Sequence, residues 1–188
     1  MPTVTTPILK TKMDAATQTQ AMTFGQLYEQ HADRIYRYHL VRTGDPALAE
    51  DLTAETFHAA LEGFARYRPG KGSHAAWLAG IARHKLADSY RRRRTLPLDL
   101  VDERAAPAAS AAPTEETVQR RLQMAAVAAA MKHISPDRAE ALALHFFAGL
   151  TLEDAGAAMG RNSEAVKKLV QRGLADLRRS LAAVEEVA

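Results

Sequence analysis

Apolar side chains recur at the three- and four-residue spacing of an α-helix through two blocks of the chain, residues 23–94 and 117–184. No segment shows the polar–apolar alternation that indicates a β-strand. Residues 95–116, between the blocks, hold three prolines and five acidic residues against one arginine, a composition typical of a linker. We therefore predict an all-α fold of two small helical domains joined by a flexible linker. Residues 1–22, rich in Thr, Gln, Pro and Ala, are predicted to be a flexible extension.

The first block is predicted to form three helices. Its apolar positions predict a helix over 23–42, and Gly44, Asp45 and Pro46 then supply a helix stop, an N-cap and a proline at the first helical position. The next helix carries two apolar stripes, which indicates that it lies between two partners. A glycine-containing loop follows, and Ser73 is predicted to cap a third helix that ends in four consecutive arginines.

The second block is predicted to form four helices, of which the last two are joined by a tight turn. Thr151 and Asp154 form a predicted capping box, Gly160 ends the short helix, and Asn162 is predicted to cap the last one. This arrangement predicts a helix-turn-helix, whose second helix enters the major groove of DNA. Polar side chains would contact base edges and cations would contact phosphates. The residues concerned are Arg161, Asn162, Ser163, Glu164, Lys167, Lys168 and Arg172. An ordinary helical hairpin with a solvated basic face is the alternative.

Residues 63–94 concentrate positive charge, with nine Lys or Arg against one Asp. Tyr67, Trp77 and Tyr90 are interspersed among these cations. Cations that follow a phosphate backbone, together with rings that stack on bases, suit single-stranded or distorted nucleic acid. Trp77 lies on an apolar stripe and is expected in the core rather than on a base. The arginine run has a simpler alternative as a solvated helix end.

Glu50, Asp51, Glu55 and Glu62 form an acidic group on the second predicted helix. General acid–base catalysis, binding of a hard metal ion, a solvated face and a docking face for a basic partner are the candidate roles. Neither a glycine-rich loop nor spaced histidines lie nearby in the sequence, which disfavours the first two roles.

Several function classes are disfavoured by composition. The chain has no cysteine, which excludes disulfides, thiolate metal sites and a cysteine nucleophile. Its seven histidines lack metal-ligand spacing, and His31 and His84 fall on apolar stripes, where core histidines are expected. No phosphate-binding loop or hydrolase motif is present. We therefore expect no metal, no cofactor and no enzymatic activity. The sequence indicates neither a signal peptide nor a membrane span, so a cytoplasmic protein without membrane insertion is expected.

Three stretches of the sequence are specific enough to indicate a family. The first block contains AEDLTAETF and AWLAGIARHKLADSYRRRR, and the second contains LALHFFAGLTLEDAGAAMGRNSEAVKKLVQRGLADLRRSL. In order and separation, over 23–94 and 118–181, they resemble the extracytoplasmic-function group of bacterial RNA polymerase sigma factors. The resemblance implies a transcription initiation subunit that binds core RNA polymerase and promoter DNA, both double-stranded and melted, and promotes strand opening without ATP.

The resemblance also implies a task for each part of the chain. The helix-turn-helix would read the −35 element, and the face around Asp51, Leu52, Glu55, Thr56 and Phe57 would dock on the coiled coil of the polymerase's largest subunit, with the flap region as a further contact. An anti-sigma protein is another implied partner. The first domain would read the −10 element and hold melted DNA through Lys71, Ser73, His74, Arg83, His84, Lys85, Asp88, Arg91 and Arg92.

Two other functions fit the same residues. One is a stand-alone helix-turn-helix regulator that binds duplex DNA without polymerase, and the other is a helical protein-interaction module whose arginine run contacts a protein.

Gly156 departs from the alanine that the family usually carries in the first helix of the helix-turn-helix, at an expected cost of about 1 kcal/mol in helix propensity.

Overall fold

The computed structural model describes residues 22–68, 72–95 and 115–185 of the chain. These ranges contain seven α-helices and no β-strand, which confirms the predicted all-α fold. All but the last residue of the predicted N-terminal extension, Lys71 and most of the predicted linker lie outside the described residues. None of the described helices is long and apolar enough to cross a membrane. The helices are α1 (Phe24–Thr43), α2 (Pro46–Phe64), α3 (His74–Thr95), α4 (Glu115–Met131), α5 (Pro136–Leu142), α6 (Leu152–Met159) and α7 (Ser163–Glu185).

Helices α1–α3, here called the first unit, have the predicted caps at the end of α1 and at the starts of α2 and α3. Gly44 adopts a left-handed φ of 69° at the end of α1, and the carboxylate of Asp45 accepts a backbone N–H of α2 at 3.2 Å. Ser73 Oγ accepts a backbone N–H in the first turn of α3 at 3.1 Å. Thr23 and Gln26 add a reciprocal capping box at the start of α1, which the pattern did not indicate. Local signals therefore set the ends of these helices.

The core of the first unit is centred on α2, which packs against both α1 and α3 as its two apolar stripes predict. Leu52 is fully buried, and the ring of Phe57 packs edge-on against Phe24 with 6.4 Å between ring centroids. Leu27 and Tyr38 of α1 are fully buried as well. Each such side chain stabilises the fold by about 1.5–3 kcal/mol through removal of apolar surface from water.

Helices α4–α7, here called the second unit, contain a π-helical turn over Ala143–Phe147 that follows α5 without a break. The backbone N–H of Ala148 bonds to the carbonyl of Ala143 at 2.9 Å, a spacing of five residues. The sequence predicts one continuous helix here, ended by Gly149, which does turn the chain at φ 73°. A π turn shifts the side chains that follow it relative to an α-helix. Phe146, within the turn, is 50% exposed.

Helices α6 and α7 form the predicted helix-turn-helix. Thr151 Oγ1 accepts the backbone N–H of Asp154 at 3.0 Å, and Gly160 turns the chain at φ 65°. Asn162 caps α7 through a 2.7 Å bond from a backbone N–H of its first turn. The predicted capping box is wrong in its second half, because the Asp154 carboxylate accepts a bond from Ser73 Oγ at 3.0 Å instead.

Gly156 allows the turn between α6 and α7 to be tight. The backbone N–H of Arg161 bonds to the carbonyl of Gly156 at 2.8 Å. A Cβ atom at position 156 would lie 2.7 Å from the carbonyl oxygen of Arg161, closer than real Cβ contacts come. The expected cost in helix propensity is therefore accompanied by a steric requirement that the sequence did not reveal.

The two units pack against each other. Helix α1 contacts α4 and the π turn, and α3 contacts α6. Buried apolar side chains of both units, from Leu27 to Val170, form one continuous cluster. The predicted domains therefore share a core within the described residues, an arrangement that the sequence did not indicate.

Candidate nucleic-acid interface

The solvent-facing side of α7 carries five of the predicted DNA-contact residues. All five are exposed, while Val166 and Val170 on the opposite side of the helix are buried. Lys167, Lys168 and Arg172 have no ion-pair partner among the described residues. We call this surface the α7 face; it consists of Ser163, Glu164, Lys167, Lys168 and Arg172. The positive charge of its three cations is not neutralised by an ion pair with any described residue.

The two turn residues predicted to contact DNA have structural partners. The guanidinium of Arg161 lies 2.5 Å from the carboxylate of Asp137 on α5, and the side-chain oxygen of Asn162 caps α7. These contacts fix the angle at which α7 leaves the turn. The structure therefore places Arg161 and Asn162 beside the α7 face, as parts of its support.

The remainder of α7 is anchored to α5. At Gly173 the helices approach so closely that a Cβ atom would lie 3.0 Å from the side chain of Leu142. Arg138 of α5 donates a 2.5 Å hydrogen bond to Asp176, and that bond is the main cause that lowers the pKa of the Asp176 carboxyl below its ordinary value. The α7 face is consequently presented by a helix with fixed tertiary contacts.

Aromatic rings line the first unit beside the loop between α2 and α3. The ring of Tyr67 lies 4.6 Å from His74 and 5.0 Å from Trp77, measured between centroids, and its hydroxyl donates to the carbonyl of Gly72 at 2.9 Å. Trp77 is half-buried and packs against the core, in line with its expected position. The rings of Tyr67 and Trp77 border an open cleft that is also lined by Arg66, Arg68 and, from α6, Asp154. The cleft thus combines cations with partly exposed aromatic surface.

The basic side of α3 is extensively ion-paired. Lys85 and Arg92 lie 3.8 Å and 3.3 Å from the carboxylate of Glu55 on α2. Asp88 pairs with Arg91 and lies 3.7 Å from His84. We call these predicted contact residues the α3 face: Arg83, His84, Lys85, Asp88, Arg91 and Arg92.

His84 is not a core residue. Its side chain is 75% exposed, so the expectation from its apolar stripe is wrong. His31 is half-buried, and burial lowers its pKa, with smaller contributions from Arg34 and His74. The fully buried histidine is His39.

Two predicted DNA contacts of the first unit face the second unit. The guanidinium of Arg83 lies 2.8 Å from the carboxylate of Glu140 on α5 and also donates to the carbonyl of Ala158 on α6. Ser73 Oγ donates to Asp154, likewise on α6. While the two units are packed in this way, both side chains are bonded to groups of α5 or α6.

The predicted docking face is corrected at three of its five positions. Leu52 and Thr56 are fully buried and Phe57 is 4% exposed, because this side of α2 forms the core against α1 and α3. Asp51 is exposed and Glu55 is half-exposed. Helical periodicity groups all five residues, but it does not separate the buried positions from the surface ones.

Two exposed apolar side chains of α1 and α2 were not predicted. Tyr28 on α1 is 50% exposed, and its ring packs edge-on against Phe57 with 4.8 Å between centroids. Leu61 on α2 is 55% exposed. A groove between the two helices is lined by Tyr28, Tyr36, Glu50 and other residues. The position of Leu61 on the second apolar stripe of α2 was the signal available in the sequence.

Two buried polar residues were also missed. His39 Nε2 donates to Thr56 Oγ1 at 3.2 Å, since that hydroxyl already donates to the carbonyl of Leu52. Burial lowers the pKa of His39 to about 4. Glu140 is 9% exposed and binds side chains of the first unit. Its place between alanines on an apolar helix, Ala139 and Ala141, was the only sequence signal.

Comparison with known proteins matches both units to family models. Residues 27–95 match Sigma-70 region 2, and residues 124–177 match Sigma-70, region 4. The chain is 34% identical over 170 residues to the ECF RNA polymerase sigma factor BldN of Streptomyces coelicolor, a match that covers 90% of this chain and 64% of BldN. The RNA polymerase sigma factor CarQ of Myxococcus xanthus is 33% identical over 164 residues, covering 86% of this chain and 91% of CarQ.

A third relative is the ECF RNA polymerase sigma factor SigE of Mycolicibacterium smegmatis, which is 31% identical and matches over 90% of this chain. The chain spans 64% of the length of BldN and 66% of the length of SigE.

Solved structures share the fold. The sigma factor RpoE from Bartonella quintana, in a complex with the anti-sigma factor NepR, superposes with a TM-score of 0.66 at 23% identity and covers 85% of this chain and 96% of RpoE. CnrH, in a complex with the cytosolic domain of CnrY, gives 0.64 at 24% identity and covers 85% and 88%. A three-helix unit that matches region 2, followed by a helix-turn-helix unit that matches region 4, defines a small sigma factor. The chain belongs to the extracytoplasmic-function group of the sigma-70 family.

Proposed function

We propose that this protein is a transcription initiation subunit that binds core RNA polymerase, recognises the −10 and −35 promoter elements and promotes strand opening. The observation that carries the proposal is the exposed, unpaired basic α7 face on a capped helix-turn-helix, in a chain whose other unit matches region 2. The protein itself is proposed to have no enzymatic activity and to use neither ATP nor a cofactor. It acts with the polymerase in the cytoplasm.

The second unit, within residues 117–184, is proposed to read the −35 element. Ser163 and Glu164 lie at the start of α7, where a recognition helix contacts base edges in the major groove. Lys167, Lys168 and Arg172 follow on the same exposed side and suit phosphate contacts. Arg161 and Asn162 contribute by holding the turn.

The first unit, within residues 23–94, is proposed to read the −10 element and hold the melted strand. The partly exposed rings of Tyr67 and Trp77 lie beside a cluster of cations, which suits unstacked bases and their backbone. The proposed contacts comprise Lys71, Ser73, His74, Arg83, His84, Lys85, Asp88, Arg91 and Arg92. Residues 95–116 are proposed to connect the two units.

The energy for opening must come from binding, since no nucleotide is hydrolysed. Unstacking costs a few kcal/mol per base step. Stacking a base on an aromatic side chain returns about 1–3 kcal/mol. Two modest DNA readers on one chain gain further from effective concentration once the polymerase fixes their spacing.

Core polymerase is proposed to dock on the exposed side of α1 and α2. Asp51 provides acidic charge there, Glu55 lies on the same helix with its carboxylate paired to Lys85 and Arg92 of α3, and Tyr28 and Leu61 provide exposed apolar surface. The partner surface is the coiled coil of the polymerase's largest subunit, and the second unit is proposed to contact the flap region. Because RpoE of Bartonella quintana forms a complex with an anti-sigma factor, we also propose an anti-sigma partner for this chain.

Transcription in vitro tests the proposal. Purified protein added to core polymerase and a library of genomic fragments is expected to give transcripts with defined start sites, and Arg172→Ala is expected to reduce them severalfold. Arg178→Ala, which removes the same charge from an exposed position on α7 outside the α7 face, is the matched control. Site-specific binding to duplex DNA without any polymerase-dependent transcript would instead identify a stand-alone regulator.

A further inference from the structure

Glu140 of α5 is a buried carboxylate whose hydrogen-bond and ion-pair partners among the described residues, Tyr38, Arg42 and Arg83, all belong to the first unit. Its Oε1 accepts hydrogen bonds from Tyr38 Oη at 3.0 Å and from Arg83 Nε at 2.8 Å. Its Oε2 lies 3.2 Å from Nε of Arg42. Tyr38 and Arg42 come from α1 and Arg83 comes from α3, so one carboxylate joins three elements.

The surroundings of Glu140 make this cluster sensitive to the arrangement of the units. Only 12% of its side chain is exposed, and Tyr38 is fully buried. A buried carboxylate is tolerated when cations and hydroxyls satisfy it, and removal of one partner leaves an uncompensated charge. The pKa of Tyr38 is raised well above its ordinary value, mainly by burial and next by the charge of Glu140. The packed arrangement therefore depends on the contacts of the Glu140 carboxylate.

A second set of contacts, which shares Arg83 with the first, joins the first unit to α6. Ser73 Oγ donates to Asp154 at 3.0 Å, and the guanidinium of Arg83 donates to the carbonyl of Ala158. Asp154 and Ala158 lie on the first helix of the helix-turn-helix. Ser73 and Arg83 are both among the proposed contacts with melted DNA.

We propose that Glu140 is a latch that holds the free protein closed, and that closure and the binding of melted DNA by the first unit are mutually exclusive. Arg83 is the shared group: its guanidinium binds either Glu140 and α6 or the DNA backbone. The second part of this inference rests on the proposed function, whereas closure by Glu140 does not. In the closed state the apparent affinity for single-stranded DNA is lowered by the fraction of molecules that are open.

Distance measurements on the full chain test the latch. The chain has no native cysteine, so Glu29→Cys on α1 and Ala175→Cys on α7, both exposed positions, accept a pair of spin labels selectively. The parent protein is expected to give one narrow distance distribution. Glu140→Gln, which keeps the shape and removes the charge, is expected to raise the open population about tenfold or more and to broaden the distribution.

Glu116→Gln is the matched control in the second unit, because its ion pair with Arg120 is exposed and lies within α4. It is expected to leave the distance distribution unchanged. Helical circular dichroism of each variant checks that both units stay folded. A distribution for Glu140→Gln that coincides with the parent one would overturn the latch, as would a broad distribution in the parent protein.

Affinity for DNA tests the mutual exclusion. The probe is a fluorescein-labelled single strand of mixed sequence, about 16 nucleotides long, which spans a typical single-strand binding site. Glu140→Gln is expected to bind it more tightly by the same factor by which the open population rises. A wider distance distribution with unchanged affinity would overturn the competition for Arg83 and leave the transcription test of the proposed function unaffected.

A reversible crosslink gives the same test without changing Glu140. In the variant Ser73→Cys with Asp154→Cys, a short bis-methanethiosulfonate reagent joins the two thiols and holds the start of α3 against α6. Ser73→Cys alone, capped with the monofunctional reagent, is the control for modification of this proposed DNA contact. The crosslinked protein is expected to lose at least about tenfold in affinity for the strand, and reductant is expected to restore it to the level of the same variant before crosslinking. Equal affinity before and after reduction, or failure of the reagent to bridge the two positions, would contradict the closed state.

Discussion

The α7 face and the α3 face carry comparable positive charge but differ in what that charge contacts. The cations of the α7 face have no ion-pair partner among the described residues, and the helix is oriented by backbone geometry at Gly156, Gly160 and Asn162. On α3, by contrast, Glu55 and Asp88 pair with most of the cations, and Glu140 of the second unit binds Arg83. A count of basic residues therefore overstates the charge that α3 offers to a ligand in the closed protein.

The two faces also differ in the contacts that hold their helices in position. The α7 face depends on how closely the two helices of the helix-turn-helix approach each other. The α3 face depends on α2, which supplies Glu55 and is itself joined to α1 by the buried pair of His39 and Thr56. One surface is thus sensitive to steric changes in the backbone, and the other is sensitive to protonation and charge.

The largest expected effect is acid destabilisation of the first unit through His39. Its pKa is lowered to about 4 in the folded protein from 6.5 in the unfolded chain, so the unfolded chain binds the proton first as pH falls. The contribution to stability is complete above pH 6.5, declines as pH falls towards 4, and amounts to about 3 kcal/mol in total. Urea unfolding between pH 8 and pH 4 measures this change.

His39→Gln keeps an N–H donor and does not titrate, so the pH dependence of its free energy of unfolding is expected to be smaller by this amount. His58→Gln, at an exposed position on α2, is the control and is expected to follow the parent curve. Identical pH profiles for the parent and His39→Gln would show that this histidine does not control the acid stability.

Gly156→Ala is expected to have the next largest effect, on the second unit. The added Cβ would lie 2.7 Å from the backbone oxygen of Arg161, so the turn must open, at a cost of about 2 kcal/mol in the free energy of unfolding. Affinity for duplex DNA is expected to fall as well, because the α7 face is displaced. Thermal and urea unfolding, together with binding of a duplex promoter fragment, measure both effects.

Gly80→Ala on α3 is the matched control, since a Cβ there meets nothing within 4 Å. It is expected to stabilise the protein by up to about 1 kcal/mol through helix propensity. If the two substitutions gave stability changes of the same sign, the steric requirement at Gly156 would be contradicted.

A smaller effect is expected from Lys167→Ala on the α7 face. Loss of one phosphate contact weakens binding to all sequences alike and reduces the slope of log affinity against log salt by about 1. A salt titration of binding to two unrelated duplexes measures the slope. A loss of affinity confined to one base position would assign Lys167 to base recognition instead.

The helix-turn-helix and the helix ends were predictable because their signals are local. Gly44, Asp45, Ser73 and Asn162 act on backbone groups a few residues away, and their types alone indicate the caps. The π turn over Ala143–Phe147 gave no such signal. It changes the register of side chains within an otherwise ordinary apolar helix.

The other features that the sequence did not predict depend on contacts between residues far apart in the chain. Glu140 meets Arg83 across 57 residues and Tyr38 across 102, and no spacing rule connects them. The predicted docking face was wrong at three positions for a related reason. The helical pattern places Leu52, Thr56 and Phe57 near Asp51, but only the packing of α1 and α3 shows that these three are buried. Tertiary contacts therefore decide which predicted site residues are accessible.

The smallest expected effect comes from Glu55→Gln, which tests whether ion pairing limits the charge of the α3 face. Lys85 and Arg92 would lose a carboxylate partner that is itself partly exposed, so stability is expected to fall by less than about 1 kcal/mol. Affinity of the free protein for single-stranded DNA is expected to rise less than about fivefold, with a steeper salt dependence. Glu62→Gln removes the same charge from an exposed position on α2 that has no ion pair among the described residues. Equal effects of the two substitutions would mean that only net charge matters, whereas a larger effect of Glu55→Gln would show that pairing on α3, and not its number of cations, sets the contrast with α7.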